Sequence, residues 1–219
     1  MNILELSLYV IPFLIKGIVE TAKYSLICGI LGLIIGIIGG LSRISKSYIL
    51  RIISAIYVNI FRSTPFLIQL YIIFFILPIY GIVLNSSQAA IITLSFNFGA
   101  YMSEMVRAGI EAIPKEQTEA ALSLGMTPFL KTKLVILPQA LRIIIPPVVG
   151  QLILLVKDTA IISLIGAFEV TKVGRELVVG SGLNPIIVYS WVSFFYFIIC
   201  YPLYLYSIKI EKKLKFYSF

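Results

Sequence analysis

The chain is 219 residues long, 59% hydrophobic and only 13% charged, with a mean hydropathy of +1.02. Soluble domains carry roughly 25% charged residues, so this composition excludes an ordinary soluble globular protein. The formal net charge is +8 with no histidine, which argues against a histidine-ligated zinc or haem site. In so apolar a chain, the charge bears on membrane topology rather than on nucleic acid.

No charged residue occurs from Ser63 to Ser103 or from Leu177 to Ile208. A bilayer-spanning helix takes ~20 apolar residues, so the chain reads as an all-α integral membrane protein. Outer-membrane barrels alternate polar and apolar residues and lack such runs. The N-terminal MNILELSLYVIPFLIK has no basic n-region and no small-residue cleavage site, and does not read as a signal peptide. Residues 3–15 are expected as a short helix lying at the interface.

Five spans follow. The first runs from about Gly17 to Leu41; its Gly32, Gly36 and Gly40 recur every four residues, a small-residue pattern that lets helices approach closely. The second runs from about Ile49 to Tyr80 and is kinked at Pro65. The third runs from about Gln88 to Gly109. The fourth runs from about Ile143 to Ile165 with Pro146 and Pro147 in its first turn. The fifth runs from about Pro185 to Ile208. Cys28 and Cys200 sit in apolar runs and read as buried thiols.

Basic residues sort onto alternate loops. Arg43, Lys46 and Arg51 follow the first span; Arg107, Lys115, Lys131, Lys133 and Arg142 follow the third; Lys209, Lys212, Lys213 and Lys215 follow the fifth. Basic loops belong in the cytoplasm, which places the N-terminus outside and the C-terminus inside. Lys172 and Arg175 run against the trend, accompanied by Glu169 and Glu176. The outer segment Ala167 to Asn184 reads either as a docking surface or as a connecting loop. The C-terminal EKKLKF reads as a basic anchor at the inner surface. The whole chain, 1–219, is expected to be one transmembrane domain with a cytoplasmic loop at 112–138.

That loop contains EAALSLGMTPFLKTKLVILP, from Glu119 to Pro138. Its local chemistry predicts two short helices. Pro114 starts the first; Gly125 ends it, as glycine commonly does past a helix C-terminus. Thr127 caps the second, with Pro128 at its first position. Ala120 and Ala121 leave a small-sided surface that a partner can approach.

The segment resembles the EAA loop of permease subunits in ABC importers. Glu119, Ala120, Ala121, Gly125, Leu137 and Pro138 stand at the motif positions, and Val135 stands where isoleucine is usual. FRSTPFLIQL (Phe61 to Leu70), AYMSEMVRAGIEAIPKEQTEAALSLGM (Ala100 to Met126) and VKDTAIISLIG (Val156 to Gly166) are similar to the histidine/glutamate/glutamine/arginine type of permease, with Ser63 for a usual glycine. The arginine branch looks nearest. The resemblance implies a type I ABC importer permease fold in a bacterial cell (inner) membrane and a second permease copy, often identical. It implies a cytoplasmic ATPase dimer that the EAA loop couples to, and an extracellular or periplasmic binding protein that delivers the amino acid. The chain has no phosphate-cradling GxxxxGK[ST] loop. It is therefore expected to bind no cofactor; ATP and Mg belong to the ATPase.

Polar residues at middle depth mark the expected substrate passage, because ionisable groups there are costly and usually functional. Arg62 lies roughly 16 Å beyond Arg51 along a helix, and Lys157 and Asp158 roughly 22 Å beyond Arg142. Asp158 suits the ammonium of an amino acid; Arg62, Thr64 or Lys157 suit its carboxylate; Asn97 offers both donor and acceptor. Asn97, Tyr101 and Glu104 share a helix face, at spacings of four and three. Structural alternatives stand beside these: Glu104 pairing with Arg107, Arg62 binding carbonyls at the Pro65 kink, Asn97 holding helices together, Lys157 and Asp158 pairing with other helices. The competing functions are an importer of another polar amino acid (glutamine, glutamate or histidine) or of another small solute, an integral membrane enzyme, and a channel. The enzyme lacks a catalytic constellation, and a channel would have no use for the coupling segment.

Overall fold

The computed structural model describes residues 3–215, with side chains described for residues 5–213. Among them every regular element is helical. Helix α1, Ile3–Arg43, is continuous. The short interfacial helix expected at residues 3–15 is thus the first third of α1. Leu6, Val10 and Leu14 recur every four residues, and all three are buried against α8 (Val170–Ser181) and α9 (Pro185–Lys215). Tertiary packing, not a lipid surface, takes up this apolar stripe.

The second half of α1 lies along α4, Ser86–Glu111. A Cβ added at Gly36 would fall 2.2 Å from Met102 Cβ; at Gly32, 2.5 Å from the Phe98 ring; at Gly40, 2.6 Å from Val106 Cβ. The four-residue glycine spacing is therefore a helix-packing face, as expected. Asn85 and Gln88 form a reciprocal capping box at the start of α4.

Helix α2, Tyr48–Ser63, ends at a break and α3 begins at Phe66, ending at Tyr71. Proline restricts its predecessor to extended backbone, and Thr64 is extended at φ −115°, ψ 144°. The chain then runs through a π-helical turn, Ile72–Ile76, and a 3-10 turn, Leu77–Tyr80. The two halves of the expected second span meet at 109°, so the kink is a full break.

Length and apolarity mark three helices as able to cross a membrane, Glu5–Arg43, Pro128–Ile165 and Pro185–Lys213, and a fourth if the bent pair counts as one span. Helix α4 is not among them, so this criterion does not reach five. It carries Thr93, Ser95, Asn97 and Ser103, all buried against other helices, so its surroundings are largely protein.

Helix α7, Leu137–Ile162, starts earlier than expected. Pro146 and Pro147 lie inside it rather than in its first turn; such prolines are tolerated in membrane helices because neighbours and local adjustments satisfy the freed backbone groups. The segment 167–184 is largely the helix α8 and not a connecting loop. Glu169, fully buried, caps it by accepting from the backbone N–H groups of Thr171 (2.8 Å) and Lys172 (2.6 Å). Both cysteines are free and buried. The expected C-terminal anchor extends to Phe216, which lies outside the described residues.

Substitution at Gly36 tests the α1–α4 contact. Gly36→Leu pushes against Met102 Cβ, close to the backbone, and is expected to destabilise the fold by about 3 kcal/mol, at the upper end of overpacking costs. Gly150→Ala, where an added Cβ meets nothing within 4 Å, should leave the thermal unfolding midpoint in detergent unchanged or raised.

Candidate substrate passage and coupling segment

The break between α2 and α3 brings polar groups from three helices together. Opening a helix within a membrane leaves carbonyls that lipid cannot satisfy. Gln69, one turn into α3, meets this need. Its Nε2 donates to Phe61 O (2.7 Å), Thr64 O (2.9 Å) and Thr64 Oγ1 (2.9 Å). Its Oε1 accepts from Asn97 Nδ2 of α4 (2.9 Å), and both amides are buried. The Thr64 hydroxyl donates in turn to Ile60 O at 2.8 Å.

One helical turn further along α4, Tyr101 lies beneath Arg62, whose guanidinium carbon is 5.6 Å from the ring centroid. The next turn brings Glu104. Arg43 from the end of α1 donates to it at 2.5 Å, and Arg107 donates from within α4, its Nε at 3.1 Å. Arg62 stands further off, at 3.7 Å. It is also the most exposed of the three arginines, with 39% of its side chain accessible against 17% for Arg43 and 26% for Arg107. Glu104 is thus largely satisfied by two arginines, while Arg62 keeps an open side. Tyr57, Phe61 and Phe96 pack ring to ring beside this group, and the Tyr57 hydroxyl donates to Phe96 O at 2.6 Å.

The structure therefore joins five of the seven expected passage residues, Arg62, Thr64, Asn97, Tyr101 and Glu104, into one contiguous patch. The expected pairing of Glu104 with Arg107 is present as part of a larger cluster. Asn97 gives one of its two N–H donors to Gln69 and so serves as a tie between helices. Among the described residues, no hydrogen bond or ion pair links Lys157 or Asp158 of α7 to this patch. Lys157 is exposed and lines a cavity of about 430 Å³ between α7 and α9, with Ile153, Tyr196, Phe197, Cys200 and Tyr204.

Sequence reasoning missed Gln69, Arg43 as a ligand of Glu104, and Glu169. The available signal for Gln69 was a lone amide in an otherwise apolar run just after an intramembrane proline.

The loop 112–138, expected to be the coupling segment, folds as its local chemistry requires. Helix α5 is Lys115–Ser123 and α6 is Pro128–Lys131. Gly125, at φ +75°, closes α5: its N–H reaches Leu122 O at 2.9 Å, and Met126 N–H reaches Ala121 O at 3.1 Å. This is the paired-bond glycine terminus known as the Schellman motif. Thr127 Oγ1 accepts from Leu130 N–H at 3.4 Å. Glu119 and Ala120 are exposed and Ala121 is buried; Leu137 and Pro138 begin α7 with exposed side chains. Around the turn, Leu122, Leu124, Phe129 and Leu134 expose 48%, 78%, 72% and 58% of their surfaces.

Residues 32–208 match the family of the binding-protein-dependent transport system inner membrane component. The chain belongs to this family. It is 38% identical over 206 residues to the L-cystine transport system permease protein TcyB of Bacillus subtilis, covering 94% of this chain and 88% of that one. It is 44% identical over 163 residues to the putative glutamine transport system permease protein GlnP of Rickettsia prowazekii, covering 74% and 75%. It is 37% identical over 210 residues to the arginine transport system permease protein ArtQ of the same Bacillus, covering 94% of each. A solved amino acid ABC transporter with histidines superposes with a TM-score of 0.89 at 28% identity, over 97% of this chain and 99% of that chain. The chain is therefore a type I ABC permease, a transport subunit and not an enzyme. These identities do not single out the arginine branch.

The unequal hold on Glu104 gives a stability prediction. Arg43→Ala should cost about 2 kcal/mol, as for loss of a charge-assisted hydrogen bond. Arg62→Ala, exposed and further away, should cost less than about 1 kcal/mol. Unfolding midpoints of the purified permease provide the comparison; equal losses would contradict the assigned geometry.

Proposed function

We propose that the chain is the membrane subunit of an ATP-driven importer for a polar amino acid, with a basic, arginine-type substrate as the specific reading. The observation that carries it is the half-open Arg62 above Tyr101, at the break between α2 and α3, in a chain whose relatives are named for amino acids. Arg62 receives the carboxylate beside Thr64, whose hydroxyl already donates to Ile60 O and holds the break, and Tyr101 and Glu104 line the way toward the cytoplasm. Lys157 and Asp158 approach the passage from α7 when the helices rearrange, Asp158 taking the ammonium. Cystine and glutamine, named in relatives, are the alternative cargoes.

In this reading α4 is the third of five spans, enclosed by the others, with the N-terminus outside and the C-terminus in the cytoplasm of a bacterial cell. The clustering of Arg43, Lys46 and Arg51 with the basic residues of the loop 112–138 supports that orientation. The exposed leucines and Phe129 around Gly125 form the surface that a cytoplasmic ATPase dimer grips. They are large apolar side chains exposed close together in sequence, the kind of surface that marks an interaction site. A second copy of the permease and an external binding protein complete the machine.

The test is uptake by proteoliposomes containing the permease and its neighbouring ATPase, supplied with the binding protein. Labelled arginine should accumulate only with ATP; accumulation of glutamine or cystine instead would retain the importer and replace the cargo. Leu124→Asp should weaken ATPase co-purification by about tenfold, as for a central apolar contact. Intact ATPase binding in that variant would remove the Gly125 surface from the joint.

A further inference from the structure

Gln69 touches none of Arg62, Tyr101 and Glu104 through its hydrogen bonds, yet its position is unusual. One buried side-chain amide engages the last carbonyls of α2, the Thr64 hydroxyl and Asn97 of α4. Arg62 lies between Phe61 and Thr64, whose carbonyls Gln69 holds. Pro65 gives the break no N–H of its own to stabilise it. The direction in which α2 ends, and so the place of the Arg62 side chain beside Tyr101 and Glu104, depends on this amide.

We propose that Gln69 is the positioning residue of the substrate passage, a latch that fixes the 109° break against α4 and thereby presents Arg62 to the carboxylate of the cargo. The proposal rests on the reading of Arg62 given above. A glutamine suits this place because it supplies two N–H donors and one acceptor on a side chain long enough to reach back a full turn. Glutamate lacks the donors, and leucine keeps the volume but leaves the carbonyls bare. Asn97 supplies the counter-anchor from the most enclosed helix, so the latch ties the break to the part of the fold least free to move.

Two measurements on the assembled permease–ATPase complex separate this role from a merely structural one. The first is the spin-label distance distribution between Ile53→Cys and Ile76→Cys, both at exposed positions, in a background with Cys28 and Cys200 replaced by alanine. The second is direct binding of L-arginine against L-argininamide, and of L-glutamine against L-glutaminamide, without binding protein. Gln69→Leu should broaden the distance distribution and lower the acid-over-amide preference by about tenfold, as Arg62→Ala does, with no further loss in the double variant. If Gln69→Leu does not assemble, Asn97→Ala loosens only the tie to α4 and should give the same changes at smaller size.

An unchanged distance distribution overturns the latch. A broadened distribution with the acid preference lost in Arg62→Ala but kept in Gln69→Leu overturns the positioning role and leaves Arg62 in place. An acid preference absent from the wild-type complex, or untouched by Arg62→Ala, overturns the carboxylate reading and the positioning role together. ATP-dependent uptake, measured separately, still decides whether the complex is an importer.

Discussion

Where Gly36 of α1 meets α4, an added methyl group would come within 2.2 Å of Met102 Cβ, so the two backbones approach more closely than any larger residue permits. That contact lets α1 shield a helix that lipid would not accept alone. Helix α4 carries hydroxyls, an amide, a carboxylate and a guanidinium along its length, and each unsatisfied polar group in hydrocarbon costs several kcal/mol. The glycine face brings α1 onto one side of it; α2, α3 and α7 take others. Once α4 is enclosed, its remaining polar side, Asn97, Tyr101 and Glu104, faces the break after α2. The polar patch is thus a consequence of how α4 is wrapped.

The same logic explains the break itself. A helix cannot stop inside a bilayer unless something accepts responsibility for its last carbonyls. In water, solvent does this at no design cost. Here Thr64 returns its hydroxyl to Ile60 O, and Gln69 covers Phe61 O and Thr64 O. A neighbouring element, α8, is treated similarly at its other end. Buried Glu169 takes its first free N–H groups and also accepts from the Tyr196 hydroxyl of α9 at 2.9 Å. In both places a polar side chain that looks misplaced in the sequence closes a backbone account.

What could be read beforehand was what local chemistry decides. The glycines of α1, the glycine end of α5, the Thr127 cap and the shared face of Asn97, Tyr101 and Glu104 depend on spacing alone, and each is found. The errors arose where hydropathy cannot tell lipid from protein. Leu6, Val10 and Leu14 read as an interfacial stripe because nothing local announces α8. The segment 167–184 reads either as a docking surface or as a connecting loop; its sequence does not announce the helix α8, whose Gly174 lets it approach Val192. Gln69 and Arg43 escaped notice because their partners, Asn97 and Glu104, are 28 and 61 residues away. Pro146 and Pro147 suggested a helix start that continuous packing of α7 overrides.

The extended form of the chain from Pro128 to Ile165 gives the proposed importer its mechanics. From Phe129, exposed at the coupling surface, to Asp158 is 29 residues, about 44 Å of helix. A flexible loop over that distance would absorb a push from the ATPase, whereas a packed rod transmits it. Two features limit where the rod can yield. The π-helical turn at Thr132–Ile136 widens the helix next to the coupling surface, and Pro146–Pro147 removes two successive N–H donors near its middle. In the proposed importer, motion arriving at α6 would bend the rod at Pro146–Pro147, below the level of Lys157 and Asp158. Bending there would swing these two charges relative to α4, to which Gln69 pins the break beside Arg62. In that reading the two residues outside the patch, Lys157 and Asp158, would stand on the moving side of the proposed passage.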